Sequence, residues 1–185
     1  MKYLILLSIV FFVSELILML VKRSNKIDSK RQNDKGSLVL LWVVITLCFT
    51  FGFTFANYKT WTLPNYIIST IGVNIILFGA LIRWLSIIQL KSAFTVDVVI
   101  ANNHKLKTDG VYKYVRHPSY SGLLLIMFGF SVSMNSYISI LIITIPMLLV
   151  ILYRIKVEEE ILLAEFGDEY SNYKKNTEKL IPGLI

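Results

Sequence analysis

Residues 121–153 read SGLLLIMFGFSVSMNSYISILIITIPMLLVILY. As one helix this block would be roughly 50 Å long, against roughly 30 Å of bilayer hydrocarbon. It is nevertheless too short for two full spans with a real loop between them. Its only polar break is Met134-Asn135-Ser136. The block is therefore predicted to be a tight helical hairpin of two spans. Pro146 is expected to kink the second, which a helix buried among neighbours tolerates.

Three more apolar runs lie upstream, at about Tyr3–Val21, Leu38–Ala56 and Tyr66–Leu90. The first covers roughly 28 Å. Met1-Lys2-Tyr3 and the apolar run after it imitate a signal peptide, but Glu15 interrupts the run and no small-residue cleavage pattern follows. It is read as a retained first span. Composition agrees: 55% of residues are hydrophobic, 17% are charged and mean hydropathy is +0.64, whereas soluble domains carry about 25% charged residues. The expectation is one all-α integral membrane domain over residues 1–185 with about five transmembrane helices. Residues 1–65 hold two N-terminal spans and residues 66–185 a catalytic core. The segment from Arg154 to Ile185 is polar and helical in pattern, with an apolar stripe of Leu162, Leu163 and Phe166 and a stop at Gly167.

The net charge of +7 lies beside the spans. No nucleic-acid motif accompanies it, so it is assigned to topology and anionic lipid headgroups. Six Lys and Arg follow the first span, five follow the third, and five lie from Arg154 onward, while the opposite-side segments hold only Lys2 and Lys59. With five spans, all three basic regions fall on one side. The N-terminus is thus expected outside, and the C-terminus and both chemistry-bearing polar segments in the cytoplasm. The Ile-, Lys- and Asn-rich usage suggests a bacterial cell membrane. Cys48, the only cysteine, sits in an apolar run without a ligand cluster and is read as a small buried hydrophobe.

Three groups of residues could carry chemistry. The run Gly110-Val111-Tyr112-Lys113-Tyr114-Val115-Arg116-His117-Pro118-Ser119-Tyr120-Ser121-Gly122 is either an interfacial cap of basic and aromatic residues or a turn aiming His117 and Tyr120 into a pocket, with Pro118 pre-set for a first helical turn. Arg154 and Glu158 have i,i+4 spacing at the membrane exit. Glu158, Glu159 and Glu160 repel one another, which an ammonium-bearing ligand would relieve. Arg83 lies inside the third span, where a charge needs a partner, a cavity or a route to the interface. Glu15 is read as a polar contact within the bundle.

The order His104-Lys-Leu, Gly110-Val-Tyr112, Arg116-His117-Pro118-Ser119-Tyr120, Arg154-x-x-x-Glu158-Glu159, Phe166-Gly167-Asp168-Glu169-Tyr170, Tyr173 and Leu180-Ile181-Pro182 resembles the isoprenylcysteine carboxyl methyltransferase family, which is related to membrane phospholipid methyltransferases. The resemblance runs from about Leu77 to Pro182. The first two spans share only its general character. It implies a cytoplasmic S-adenosylmethionine site roofed by the C-terminal segment. His104, Lys105, Leu106 and Lys107 match a first cofactor-contacting stretch, and Tyr112 with His117, Pro118, Ser119 and Tyr120 a second. Glu158, with Glu159 beside it, matches an acidic cofactor contact. Arg154 matches an arginine at the substrate, and Arg83 a functional arginine in the preceding span. Asp97 matches a polar cofactor contact only loosely.

These residue types suit methyl transfer. Carboxylates can take the cofactor's ammonium, and aromatic faces attract its sulfonium. An acceptor carboxylate is already ionised and needs a cation to hold it, for which Arg83 or Arg154 serves. A phenol or thiol would want His104 or His117 as base. The expected acceptor is a lipophilic molecule entering from the bilayer, such as a prenylated cysteine C-terminus or a similar lipid-like acid. Two other classes fit the same pattern: a sterol-reductase-type membrane enzyme using NADPH, and a small non-enzymatic scaffold.

Overall fold

The computed structural model describes residues 2–21, 29–32, 36–58, 62–63, 66–90, 99–101 and 106–183. Its helices are α1 (Lys2–Val21), α2 (Ser37–Ala56), α3 (Tyr66–Leu90), α4 (Pro118–Ser133), α5 (Tyr137–Phe166) and α6 (Asp168–Lys175), with strands β1 (Ser29–Gln32) and β2 (Val99–Ala101). Among the described residues, four helices are long and apolar enough to cross a membrane, and α4 is a shorter apolar helix. The apolar block does fold as a hairpin, turning at Met134–Ser136 with Asn135 at φ +56°. The Ser136 hydroxyl accepts from the Ser139 backbone N–H and caps α5.

The halves of the hairpin are unequal. At 16 residues α4 is roughly 24 Å long, whereas the 30 residues of α5 cover roughly 45 Å. Sequence pattern placed a separate polar segment from Arg154; the structure instead carries α5 through it without interruption. No helix breaker stands between Pro146 and Gly167, so the helix leaves the apolar layer carrying Arg154 and Glu158. Gly167, at φ +50°, ends it as expected. The shorter α4 is buried almost all round, at residues including Leu123, Met127, Phe130 and Val132, and forms the middle of the bundle.

Glycines let α4 sit there. Gly72 and Gly79 in α3, and Gly122 and Gly129 in α4, are each seven residues apart and face one another across an antiparallel contact. A Cβ on Gly122 would lie 2.6 Å from the Arg83 backbone N and 2.7 Å from the Gly79 carbonyl, and one on Gly129 would lie 2.7 Å from the Gly72 carbonyl. Small residues at such a seam let membrane helices touch backbone to backbone. Ser69 and Ser133 extend the seam by hydrogen-bonding each other's carbonyls. A second seam joins α2 to α5, where Ser139 Oγ donates to the Gly52 carbonyl at 2.8 Å and buried Cys48 packs on Ile142 and Ile143. Phe11, Phe49 and Phe130 tie α1, α2 and α4 together.

The connections sort into two ends of the bundle. β1, after α1, pairs antiparallel with β2, after α3, through Ser29↔Ala101, Arg31↔Ile100 and Gln32↔Val99. This short ribbon joins two connections of a chain that is otherwise helical, in keeping with the all-α expectation. It forms because two connections emerge side by side, and Val99 and Ile100 favour extended backbone. At the other end Thr62 bridges Ser136, and Leu63 and Asn135 exchange hydrogen bonds. The described parts of the basic regions therefore share one end of the bundle.

Candidate active site

The run from Gly110 to Gly122 begins with a 3-10 turn, Gly110–Lys113, and feeds directly into α4. Gly110 has φ +63°, and a Cβ there would overlap the side-chain oxygen of Gln89, which accepts the Val111 N–H at 3.0 Å. Gly110→Ala is expected to cost about 1–3 kcal/mol through strain and loss of that anchor. Gly36→Ala is the control, since its φ is +69° but a Cβ there meets nothing within 4 Å. Thermal unfolding in detergent should separate the two, with Gly110→Ala lower.

Tyr112 is buried and its hydroxyl donates to the Ser86 carbonyl at 3.3 Å. Burial, reinforced by the negative charge of Glu158, pushes its pKa far above the usual phenol range. It is a fixed neutral donor. His117 precedes α4, its carbonyl accepts the N–H groups of Tyr120 and Ser121, and Pro118 opens the helix. The His117 ring points at α5: Nδ1 is 3.8 Å from Glu158 Oε1, and Nε2 is 3.4 Å from Glu159 Oε1. The Tyr120 ring lies beside it, with centroids 5.8 Å apart.

Arg154, Glu158 and Glu159 diverge because they share one helix. Arg154 is buried, donating from Nε to the Tyr120 hydroxyl at 2.9 Å and from Nη1 to Ser37 Oγ of α2 at 2.8 Å. One turn on, the Glu158 side chain is 31% exposed and within electrostatic reach of Tyr120 and Tyr112. A step of about 100° turns Glu159 inward. Its side chain is only 8% exposed, and it takes Arg116 Nε at 3.0 Å and Lys174 Nζ at 2.9 Å in addition to His117.

The C-terminal segment folds back over this run. Val115 bridges Glu178, and the N–H groups of Arg116 and His117 donate to the carbonyls of Glu178 and Lys179 at 2.8 and 3.0 Å. Arg116 Nη1 also reaches the carbonyls of Lys174 and Thr177. Ser121 Oγ donates to the Leu180 carbonyl at 2.5 Å, and the Leu180 side chain enters the core. Tyr173 donates to the Tyr112 carbonyl at 2.5 Å, and burial pushes its pKa up to about 12, with Arg116 pulling the other way.

The structure thus gathers Tyr112, His117, Tyr120, Arg154, Glu158 and Glu159 into one cluster. Pro118 and Ser119 are buried beneath it. Leu106 and Lys107 are part-buried on the stretch entering the 3-10 turn, where Lys107 pairs with Asp109 at 2.7 Å. His104, Lys105 and Asp97 lie outside the described residues. Arg83 sits under the first turn of α4 and donates to the Ser119 carbonyl and hydroxyl at 3.1 Å. Ser37, Arg116, Lys174 and Leu180 also build the cluster and were not singled out from sequence. Of these, Arg116 and Leu180 fall within the quoted motif order without a role assigned to them there, and Ser37 and Lys174 had no local signal.

A sequence model of the Isoprenylcysteine carboxyl methyltransferase (ICMT) family matches residues 70–164, just over half of the chain. The chain belongs to the isoprenylcysteine carboxyl methyltransferase family. The matched part holds α4, nearly all of α3 and α5, and Tyr112, His117, Tyr120, Arg154, Glu158 and Glu159 of the cluster, but not α1, α2 or α6. Protein-S-isoprenylcysteine O-methyltransferase of Schizosaccharomyces pombe is 33% identical over 125 residues, which are 65% of this chain and 53% of that protein. Protein-S-isoprenylcysteine O-methyltransferase B of Arabidopsis thaliana is 33% identical over 117 residues, 62% of this chain and 59% of that protein. The chain therefore spans a little over half the length of these relatives. A solved structure of a eukaryotic intramembrane Ras methyltransferase, ICMT, superposes with a TM-score of 0.61 at 24% identity, covering 84% of this chain and 55% of the other. That likeness concerns the fold. Together with the apolar helices, it makes this family member an integral membrane protein.

Proposed function

We propose that the protein transfers a methyl group from S-adenosylmethionine to the carboxylate of a lipophilic acceptor, with a prenylated cysteine C-terminus as the leading candidate. The single observation that carries the reading is the part-exposed Glu158 beside His117, Tyr112 and Tyr120, one helical turn from buried Arg154. When bound, the cofactor supplies an electrophilic methyl on a sulfonium. The donor set suits it: Glu158 offers an accessible carboxylate for an ammonium, and the two tyrosines offer faces and oxygens for a cation. Glu159 has its oxygens committed to Arg116, His117 and Lys174, and so supports the site from the tail side. His104, Lys105, Leu106 and Lys107 are proposed as the remaining cofactor wall.

Arg154 and Arg83 are the cations proposed to orient the acceptor's carboxylate from opposite sides of the His117–Tyr120 turn. The carboxylate is ionised at neutral pH, so alignment and exclusion of water, not proton removal, are the protein's tasks. Exclusion falls to the C-terminal segment above and to the apolar bundle below. The acceptor enters from the bilayer and the cofactor from the basic end of the bundle, which the distribution of Lys and Arg assigns to the cytoplasm.

The test is calorimetric titration of S-adenosylmethionine into detergent-purified protein, followed by transfer of labelled methyl into N-acetyl-S-farnesylcysteine. Binding with transfer is expected. No binding, or thermal stabilisation by NADPH alone, would overturn the reading.

A further inference from the structure

Arg83 is gripped from two sides. Its Nε and Nη2 donate to the two carboxylate oxygens of Glu15 at 2.6 and 2.7 Å, while Nη1 donates to both oxygens of Ser119 at 3.1 Å. Both charged residues are 7% exposed. A guanidinium carries five N–H groups in a rigid fork. Glu15 occupies its side edge and Ser119 occupies Nη1. One Nη2 N–H remains, at the end of the fork beside Ser119.

An arginine at this depth without a counter-charge would turn its head toward the nearer interface. Glu15 prevents that. It sits about 9 Å along α1 from that helix's end at Val21, inside the apolar layer. Room for the arrangement comes from Gly122, whose missing Cβ would meet the Arg83 backbone N at 2.6 Å and the Arg83 Cβ at 2.8 Å.

We infer that Glu15 is a positioning residue of the site: by holding the side edge of Arg83, it presents the end of the fork to the first turn of α4, where the acceptor's carboxylate is to be held. The inference rests on the methyl-transfer reading. It makes the first span, which lies outside the part matched to the family, a working part of the site. α1 is then more than a lipid-facing anchor.

Two variants test it. Replacing a buried ion pair by apolar residues of similar volume is often neutral or stabilising. The double variant Glu15→Met with Arg83→Met should therefore keep the wild-type thermal midpoint and S-adenosylmethionine affinity, but lose about 100-fold or more in methyl transfer to N-acetyl-S-farnesylcysteine. Glu15→Asp keeps the charge and draws the fork back by about one methylene. It should raise KM for the acceptor about 10-fold or more, with kcat and cofactor affinity close to wild type. Wild-type acceptor KM in Glu15→Asp, or wild-type transfer by the double variant, would show that the pair only holds helices together and would overturn the inference. A wild-type protein that transfers no methyl would count against the methyl-transfer reading instead. Should the double variant fail to fold, the KM of Glu15→Asp decides.

Discussion

Gly122→Val should separate α4 from α3 and take the site apart. The added side chain would begin 2.6 Å from the Arg83 backbone N and 2.7 Å from the Gly79 carbonyl, and neither of those atoms is the end of a flexible side chain. Overpacking of an ordinary core costs about 1–3 kcal/mol because side chains can rotate away. Here only a whole-helix displacement relieves the contact, so the expected cost is at the top of that range or above, about 3 kcal/mol or more. Displacing α4 also moves Ser119 off Arg83 and Tyr120 off Arg154, so cofactor binding should fall with stability. Gly52→Ala is the informative comparison. Its Cβ would meet Ile143 Cδ1 at 2.6 Å, a side-chain terminus that can shift, so its cost should be smaller. Thermal unfolding in detergent of the two variants should place Gly122→Val well below Gly52→Ala; equal midpoints would show that α3 and α4 are not so closely packed.

Glu158→Ala and Glu159→Ala should fail in opposite ways, although the residues are adjacent. Glu158 is about one-third exposed, with His117 Nδ1 at 3.8 Å, so its loss should leave stability within about 0.5 kcal/mol. A charged hydrogen bond to a bound ammonium is worth about 1.5–3 kcal/mol, so S-adenosylmethionine should bind roughly 10- to 150-fold more weakly. Glu159 is the counter-charge of Arg116, whose side chain is 5% exposed. Removing one partner of a buried pair costs about 3–5 kcal/mol. The C-terminal segment should then detach, seen as rapid proteolysis between α6 and Leu180 and a lowered midpoint. Normal cofactor affinity in Glu158→Ala would remove Glu158 from the cofactor site. An unchanged midpoint in Glu159→Ala would show that the tail is held by its other bonds to residues 112–121 without help from Glu159.

The glycine seam was open to reading from sequence, since Gly72, Gly79, Gly122 and Gly129 repeat at seven residues in two apolar runs. It is hard to see from one run at a time, because the repeat has meaning only once the two helices are placed face to face. The same holds for Glu159. Next to Glu158 it reads as a second acidic ligand, and only the arrival of Arg116 and Lys174 from elsewhere gives it a different partner set. The tail's docking on residues 115–121 rests partly on backbone bonds, which leave no residue-specific signature, and partly on the side chains of Arg116, Ser121 and Leu180, whose partners lie far along the chain.

The chain by itself determined the apolar runs, the turn at Met134–Ser136, the stop at Gly167 and the grouping of basic connections at one end. Each follows from local length, hydropathy or charge, and none needs to know what packs against what. The His117–Tyr120 run and the Arg154–Glu158 spacing were likewise visible, because a turn and a helix place them within a few residues of each other. Only the tertiary structure decided that α5 continues past Arg154 as one rod, that α4 is short and central, and that Glu15 meets Arg83 across 68 residues of sequence. Those outcomes depend on which helix faces which. In a membrane, where apolar faces are all alike to lipid, that choice is made by close backbone contact and by the few buried charges seeking partners.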